Sequence, residues 1–215
     1  MNTAEKFVIT INRELGSGGR TVGEKLAARL GVPFYDKAVI KALKEKYHLS
    51  VEAIEGLKGQ KHGWWSDLKR AMGFGLKLGN PAEYYLPVVG DEPDILTSDD
   101  VFATESEILK GIAAEESCVI AGRLGFFVLK DHPNHISVLI QAPKESRIAR
   151  VMEKQGLSRA EAEKAIDKVD KMRDNYVKHY ADTSRYDARN YDLVINAEGK
   201  TEDAIAELIL KYMQD

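Results

Sequence analysis

Short, largely apolar runs occupy 7–11, 117–121, 136–141 and 192–196. Runs apolar at successive rather than alternate positions suit strands of a parallel sheet covered on both faces. Between them the spacing turns helical. Helices are predicted over 21–30, over 101–116 with Val101, Ile108, Ile112 and Ala113 on the apolar side, and over 143–154 with Pro143 at the start. Two more are predicted over 158–180, where Ser158 and Glu161 form a capping box, and over 200–213, with Thr201 as cap. Residues 31–36 read as a short edge strand before a further helix at 37–47. Strand and helix in alternation, joined by right-handed crossovers, give a doubly wound α/β fold with a parallel sheet.

The rhythm fails between 49 and 100. That segment has no convincing strand, and Pro81, Pro87 and Pro93 punctuate its Gly-rich and aromatic pieces. It is expected to be a helical insertion beside a core made of 1–48 and 101–215. Trp64 and Trp65 are read as packing this insertion against itself or a partner, in preference to stacking a base.

Bulk composition narrows the class. A net charge of −3 over 215 residues argues against broad nucleic-acid binding. The single cysteine, Cys118, lies in an apolar run, so it reads as core rather than nucleophile and fits a reducing cytoplasm. No apolar run approaches the length needed to span a membrane, and no signal pattern opens the chain. The expectation is a cytoplasmic monomer or homodimer acting on a small molecule, without nucleic-acid or membrane partners.

The chemistry concentrates where the first strand meets the first helix, at Gly16-Ser17-Gly18-Gly19-Arg20-Thr21. Closely spaced glycines let backbone N–H groups converge on an anion, and the helix that follows aims its positive dipole end at the same point. Arg20 and Thr21 stand where a phosphate loop wants a cation and a magnesium-binding hydroxyl, with Ser17 as the other candidate hydroxyl. The standard pattern is nevertheless broken, since Glu14 replaces its first glycine and Arg20 its lysine. A dinucleotide fingerprint fits less well, because position 21 is threonine rather than glycine. Two more constellations accompany the loop. Arg123 follows the buried run Val119-Ile120-Ala121-Gly122, at the strand end where α/β ligands sit. Arg147 and Arg150 share a helix face, and Lys168, Lys171 and Arg173 follow at 155–185, interleaved with acids. Alternating charge is commonly a solvated helix face. Phosphoryl transfer, however, needs cations delivered to the transferring group from outside the loop, which would make this segment a basic lid.

Together these residues resemble the cytidylate kinase family of P-loop nucleoside monophosphate kinases, in the branch called cytidylate kinase-like. The similarity spans nearly the whole chain outside about 50–100. It is carried by Ile9 to Arg20, by Pro33-Phe34-Tyr35-Asp36-Lys37, by Val119 to Arg123, by Ala142 to Arg150 and by Asn190 to Asn196. Ala121 and Leu124 stand where that family usually has aspartates. The resemblance implies a three-layer α/β/α P-loop fold with a helical acceptor-binding insertion and a short lid. It implies ATP and Mg2+ as cofactors and a small phosphate acceptor, a nucleoside monophosphate, with donor phosphates at 16–21 and acceptor contacts from Asp36, Lys37 and Arg123. Arg20, Arg147, Arg150 and Arg173 would then stabilise the transferring group. A kinase for a non-nucleotide molecule and a non-catalytic nucleotide-binding protein stay open as alternatives.

Overall fold

The computed structural model describes residues 1–46, 48–58, 65 and 99–214. Its centre is a five-stranded sheet built from β1 (Val8–Arg13), β2 (Phe34–Asp36), β3 (Cys118–Ala121), β4 (His135–Gln141) and β5 (Leu193–Asn196). Every pairing is parallel, in the order β2-β3-β1-β4-β5. The predicted runs and the predicted edge strand are all recovered, each within a few residues. β1 is central, with Val8 opposite Cys118 on one side and His135 on the other.

The described helices are α1 (Gly19–Leu30), α2 (Lys37–Lys46), α3 (Val51–Lys58), α4 (Asp99–Glu115), the short α5 (Gly125–Val128), α6 (Lys144–Gln155), α7 (Arg159–Ala181) and α8 (Glu202–Gln214). The largely apolar runs are explained by cover on both faces of the sheet. Ile9, Ile11, Val119, Val138, Ile140 and Ile195 pack under Val22 and Leu26 of α1 and Ile205 and Ile209 of α8. The alternate residues, including Val8, Cys118 and Ile120, pack under α2, α3 and α4 through Ile40, Leu43, Ile54, Ile108 and Ile112. Two helix starts match their sequence signals. Ser158 and Glu161 form the reciprocal capping box of α7, and Thr201 Oγ1 accepts the Ala204 N–H at 3.2 Å. No helix among the described residues is long and apolar enough to cross a membrane.

Part of the segment expected to stand apart belongs to the core. Leu49, Ile54 and Trp65 join the cluster beneath α4. The Trp65 ring meets Tyr35 edge-on at 6.3 Å, and both side chains donate to Glu116 Oε1, at 3.0 and 2.7 Å. An aromatic with a polar handle is thus fully buried with that handle satisfied. Trp64 and most of the insertion, 59–64 and 66–98, lie outside the described residues. Cys118 is buried, and burial beside Glu116 pushes its thiol far up, which agrees with a core role.

Two outcomes follow. Trp65→Ala should destabilise the protein by about 3–5 kcal/mol, read from denaturant unfolding, because it empties a filled core position. His135, whose Nε2 lies 2.7 Å from Thr10 Oγ1, is pushed down to about 4 by burial, against 6.5 when unfolded. The unfolded chain therefore binds the extra proton between these values. Stability should fall by roughly 2 kcal/mol as pH drops from about 6.5 towards 4, and a His135→Gln variant should lack that part of the slope.

Candidate active site

β1 ends at the middle of the sheet, and the chain turns through 14–18 into α1, beyond the carboxyl ends of the strands. Gly16 and Gly18 adopt φ of +83° and +82°, the left-handed region that favours glycine. Space forbids other residues as well. A Cβ at Gly16 would lie 2.7 Å from the Arg147 carbonyl oxygen, and one at Gly18 would overlap the Arg150 guanidinium. Gly18 caps α1 without a side-chain hydrogen bond, and the first turn holds no acid. The N–H groups and dipole of that turn are left for an external anion. Ser17 is buried, and its hydroxyl donates to the Glu14 carbonyl at 3.0 Å.

A buried ionic network supports the loop from behind. Asp170, on α7, accepts the Leu15 N–H at 3.0 Å and Arg147 Nη1 at 2.5 Å, with Arg185 Nη1 at 3.7 Å. Arg147 also donates to the carbonyls of Ala142 and Leu15. Glu14 turns away from the loop, accepting the Ala142 N–H at 2.9 Å and the Tyr186 hydroxyl at 3.2 Å. The carbonyl of Arg13, the last residue of β1, accepts from Arg173 at 2.9 Å and Arg185 at 2.6 Å. Crowded guanidinium groups repel one another. Burial and Arg185 hold Arg173 down to about 10, despite Asp170 and Tyr186. Burial and Arg173 hold Arg13 down to about 9, with Arg185 and Arg20 adding to the effect and Asp36 opposing it.

The structure separates the cations expected to act together. Arg20 does not turn into the loop: its guanidinium meets Asp36 and Glu24, each at 2.7 Å, beside the Phe34 ring. Arg147 is buried in the Asp170 pair, so it holds the loop from behind. Arg150 does face the loop, paired with Glu202 at 2.6 Å. The segment expected as a lid is dominated by α7, which presents Asp170 and Arg173 to the loop while Lys168 and Lys171 are exposed. Thr21 Oγ1 lies 3.4 Å from the Lys154 ammonium, a poor neighbour for a dication, which leaves Ser17 as the better-placed loop hydroxyl. Among the described residues no group of three or more His, Cys, Asp or Glu is gathered to hold a metal ion.

On the β2–β3 side, Asp36 is buried and caps α2 by accepting the Val39 N–H at 3.1 Å, while Lys37 is exposed. Arg123 has φ +52°, within a left-handed turn shared with Gly122 and Leu124. It pairs with the buried Glu105 of α4 and lies over the Tyr176 ring at 5.5 Å. On the opposite side, a cavity of about 290 Å³ opens between Gly16, Ser17, Arg150 and the turn formed by Glu198, Lys200 and Thr201. Sequence reasoning missed that turn, and it missed Arg13, Asp170 and Arg185. The only signals for the first two were a charge at the end of the central strand and acidic and basic residues on the apolar stripe of α7, where Ile166, Asp170, Arg173 and Val177 align.

Solved structures of other proteins share this fold. A structure of a protein of unstated function from Eubacterium ventriosum ATCC 27560 is 26% identical, with a TM-score of 0.67 over 98% of this chain and 99% of that one. A gluconokinase from Sinorhizobium meliloti 1021 shares the fold, with a TM-score of 0.51 at 16% identity over 98% and 95% of the two chains. A curated S-adenosylmethionine-dependent nucleotide dehydratase from Lacinutrix mariniflava is 33% identical over 102 residues, which is 47% of this chain and 21% of that protein. The profile of the cytidylate kinase-like family matches residues 8–199, and the chain belongs to that family.

Proposed function

We propose that the protein catalyses ATP-dependent phosphoryl transfer to a small acceptor, a nucleoside monophosphate. The observation that carries this reading is the glycine loop at the head of α1, with its free first turn and the adjoining 290 Å³ cavity. Donor phosphates suit the loop, and the donor base suits the cavity beside Arg150 and the 198–201 turn. Family membership supports a small-molecule kinase. The name of the Lacinutrix relative speaks of a nucleotide, although only 21% of that protein is matched, and this favours a nucleotide over other acceptors.

The chemistry asked of the chain is positioning and charge neutralisation. The loop amides would bind the donor phosphates, and Arg173 and Arg13 border them. Asp36, Lys37 and Arg123 line the opposite side, where the acceptor would lie. Mg2+ would be held largely by phosphate oxygens and water, with the Ser17 hydroxyl as the fitting protein ligand, and would screen the charge of the donor. A second reading, a kinase for a non-nucleotide acceptor, draws on the Arg123–Glu105 pair, which already occupies the guanidinium that the family resemblance assigns to a nucleotide.

ADP release should be measured with CMP, dCMP, UMP, AMP and GMP alongside sugars and polyols. Turnover of a nucleoside monophosphate well above every other acceptor is expected. A sugar or polyol in first place would establish the second reading, and ATP binding without any turnover would reject both. Arg150→Ala should raise the KM for ATP about tenfold with little change in kcat, as expected for loss of one charged contact to the donor. An unchanged KM would remove Arg150 from the donor site.

A further inference from the structure

We infer that Arg13 grips the transferring phosphoryl group, supplying from the end of β1 the cation that the loop itself lacks. This deepens the kinase reading above and rests on it. The first support is spatial. α1 begins at Gly19, so its first helical position carries no side chain. A Cβ there would lie 2.6 Å from Arg13 Cβ and 3.2 Å from its Cγ, which means that Arg13 occupies the room a residue at 19 would need. Its side chain runs on to Gly122, where a Cβ would overlap Arg13 Nη1. The guanidinium therefore spans the carboxyl ends of β1 and β3. It stands between the loop and the side of the sheet where Asp36 and Arg123 are found.

The second support is charge. Arg20 has Asp36 and Glu24, Arg123 has Glu105, Arg147 has Asp170 and Arg150 has Glu202. The Arg13 guanidinium has no carboxylate within ion-pair distance among the described residues; Arg173, Arg185 and Arg20 press on it, and the more distant Asp36 offsets them only in part. A half-buried cation crowded by other cations and lacking an ion-pair partner is costly, and an arriving anion relieves the cost. The third support is rigidity. The Arg13 carbonyl is held by Arg173 and Arg185, its N–H donates to Asn12 Oδ1 at 2.9 Å, and β1 pairs it with Ile140. A charged fork on a fixed backbone is already oriented when charge develops.

In the transfer, an oxygen of the acceptor monophosphate, already ionised at neutral pH, forms a new bond to the terminal phosphorus of ATP. The bond from that phosphorus to the bridging oxygen breaks, and its electron pair leaves on ADP. Arg13 donates hydrogen bonds to the equatorial oxygens and gives up no proton.

The test is calorimetric titration of the wild type, Arg13→Gln and Arg13→Lys with a non-hydrolysable ATP analogue and with ADP, alongside thermal unfolding of each. Arg13→Gln should weaken the triphosphate by about tenfold or more and the diphosphate by less than about threefold. Arg13→Lys should recover part of the loss, as a point charge without the fork. Equal loss for both nucleotides, or none for the triphosphate, overturns the inference. Should Arg13→Gln fail to fold, Arg13→Lys decides: a several-fold drop in preference for triphosphate supports the assignment, and an unchanged preference overturns it. A wild type that binds neither nucleotide overturns both this assignment and the kinase reading. The expected binding pattern without phosphorylation of any acceptor leaves Arg13 as the terminal-phosphate ligand and overturns the transfer reaction alone.

Discussion

The phosphate loop at the carboxyl edge of the sheet depends on one buried carboxylate. Asp170 takes the Leu15 N–H and the Arg147 guanidinium, with Arg185 close by, and so ties the loop to α6 and α7. Removing a charge from water is expensive, and the cost is recovered only where hydrogen bonds satisfy each oxygen. That condition is met by groups from two separate parts of the chain, Leu15 and Arg147, with Arg185 adding its charge at 3.7 Å. The arrangement is consequently all-or-none: α7 cannot shift alone without stranding Arg147, and the loop cannot open at Leu15 without exposing Asp170 to an unmatched partner.

This constraint explains why the site is rich in arginine yet holds few arginines aimed at a ligand. Several serve as beams. Arg147 and Arg185 brace the loop and the end of β1, Arg20 braces β2 against α1, and Arg123 braces α4 against α7. Planar forks suit this work, since each can bridge two acceptors at once. The positive field that remains comes from a surplus concentrated around Arg13 and Arg173, at the same edge as the open N–H groups of α1.

The sheet, the loop and the helix caps were legible because each is a local signal. Largely apolar runs mark strands covered twice, glycines mark the left-handed turn, and Ser158 with Glu161 marks a helix start. What stayed hidden is pairwise and distant. Nothing near Asp170 in sequence announces Leu15, and nothing near Glu105 announces Arg123, for these partners meet only after crossovers are closed. Arg20 misled for the same reason: its position in the loop motif pointed to phosphate, while Asp36 and Glu24 decided where its charge would go. Trp65 was obscured by its surroundings, because low periodicity around it concealed one residue that packs under α4. The family profile leaves the acceptor open.

The mutual exclusion between positions 13 and 19 bears on the history open to this loop. With 2.6 Å between a Cβ at 19 and the Cβ of Arg13, neither position can acquire the other's bulk while both are filled. A basic residue at 19 is not one substitution away: the backbone at β1 must first yield, or residue 13 must first shrink. The order of such steps is therefore constrained. Any intermediate with a small residue at 13 and glycine at 19 would have neither cation, so the two designs are separated by a valley rather than joined by a slope.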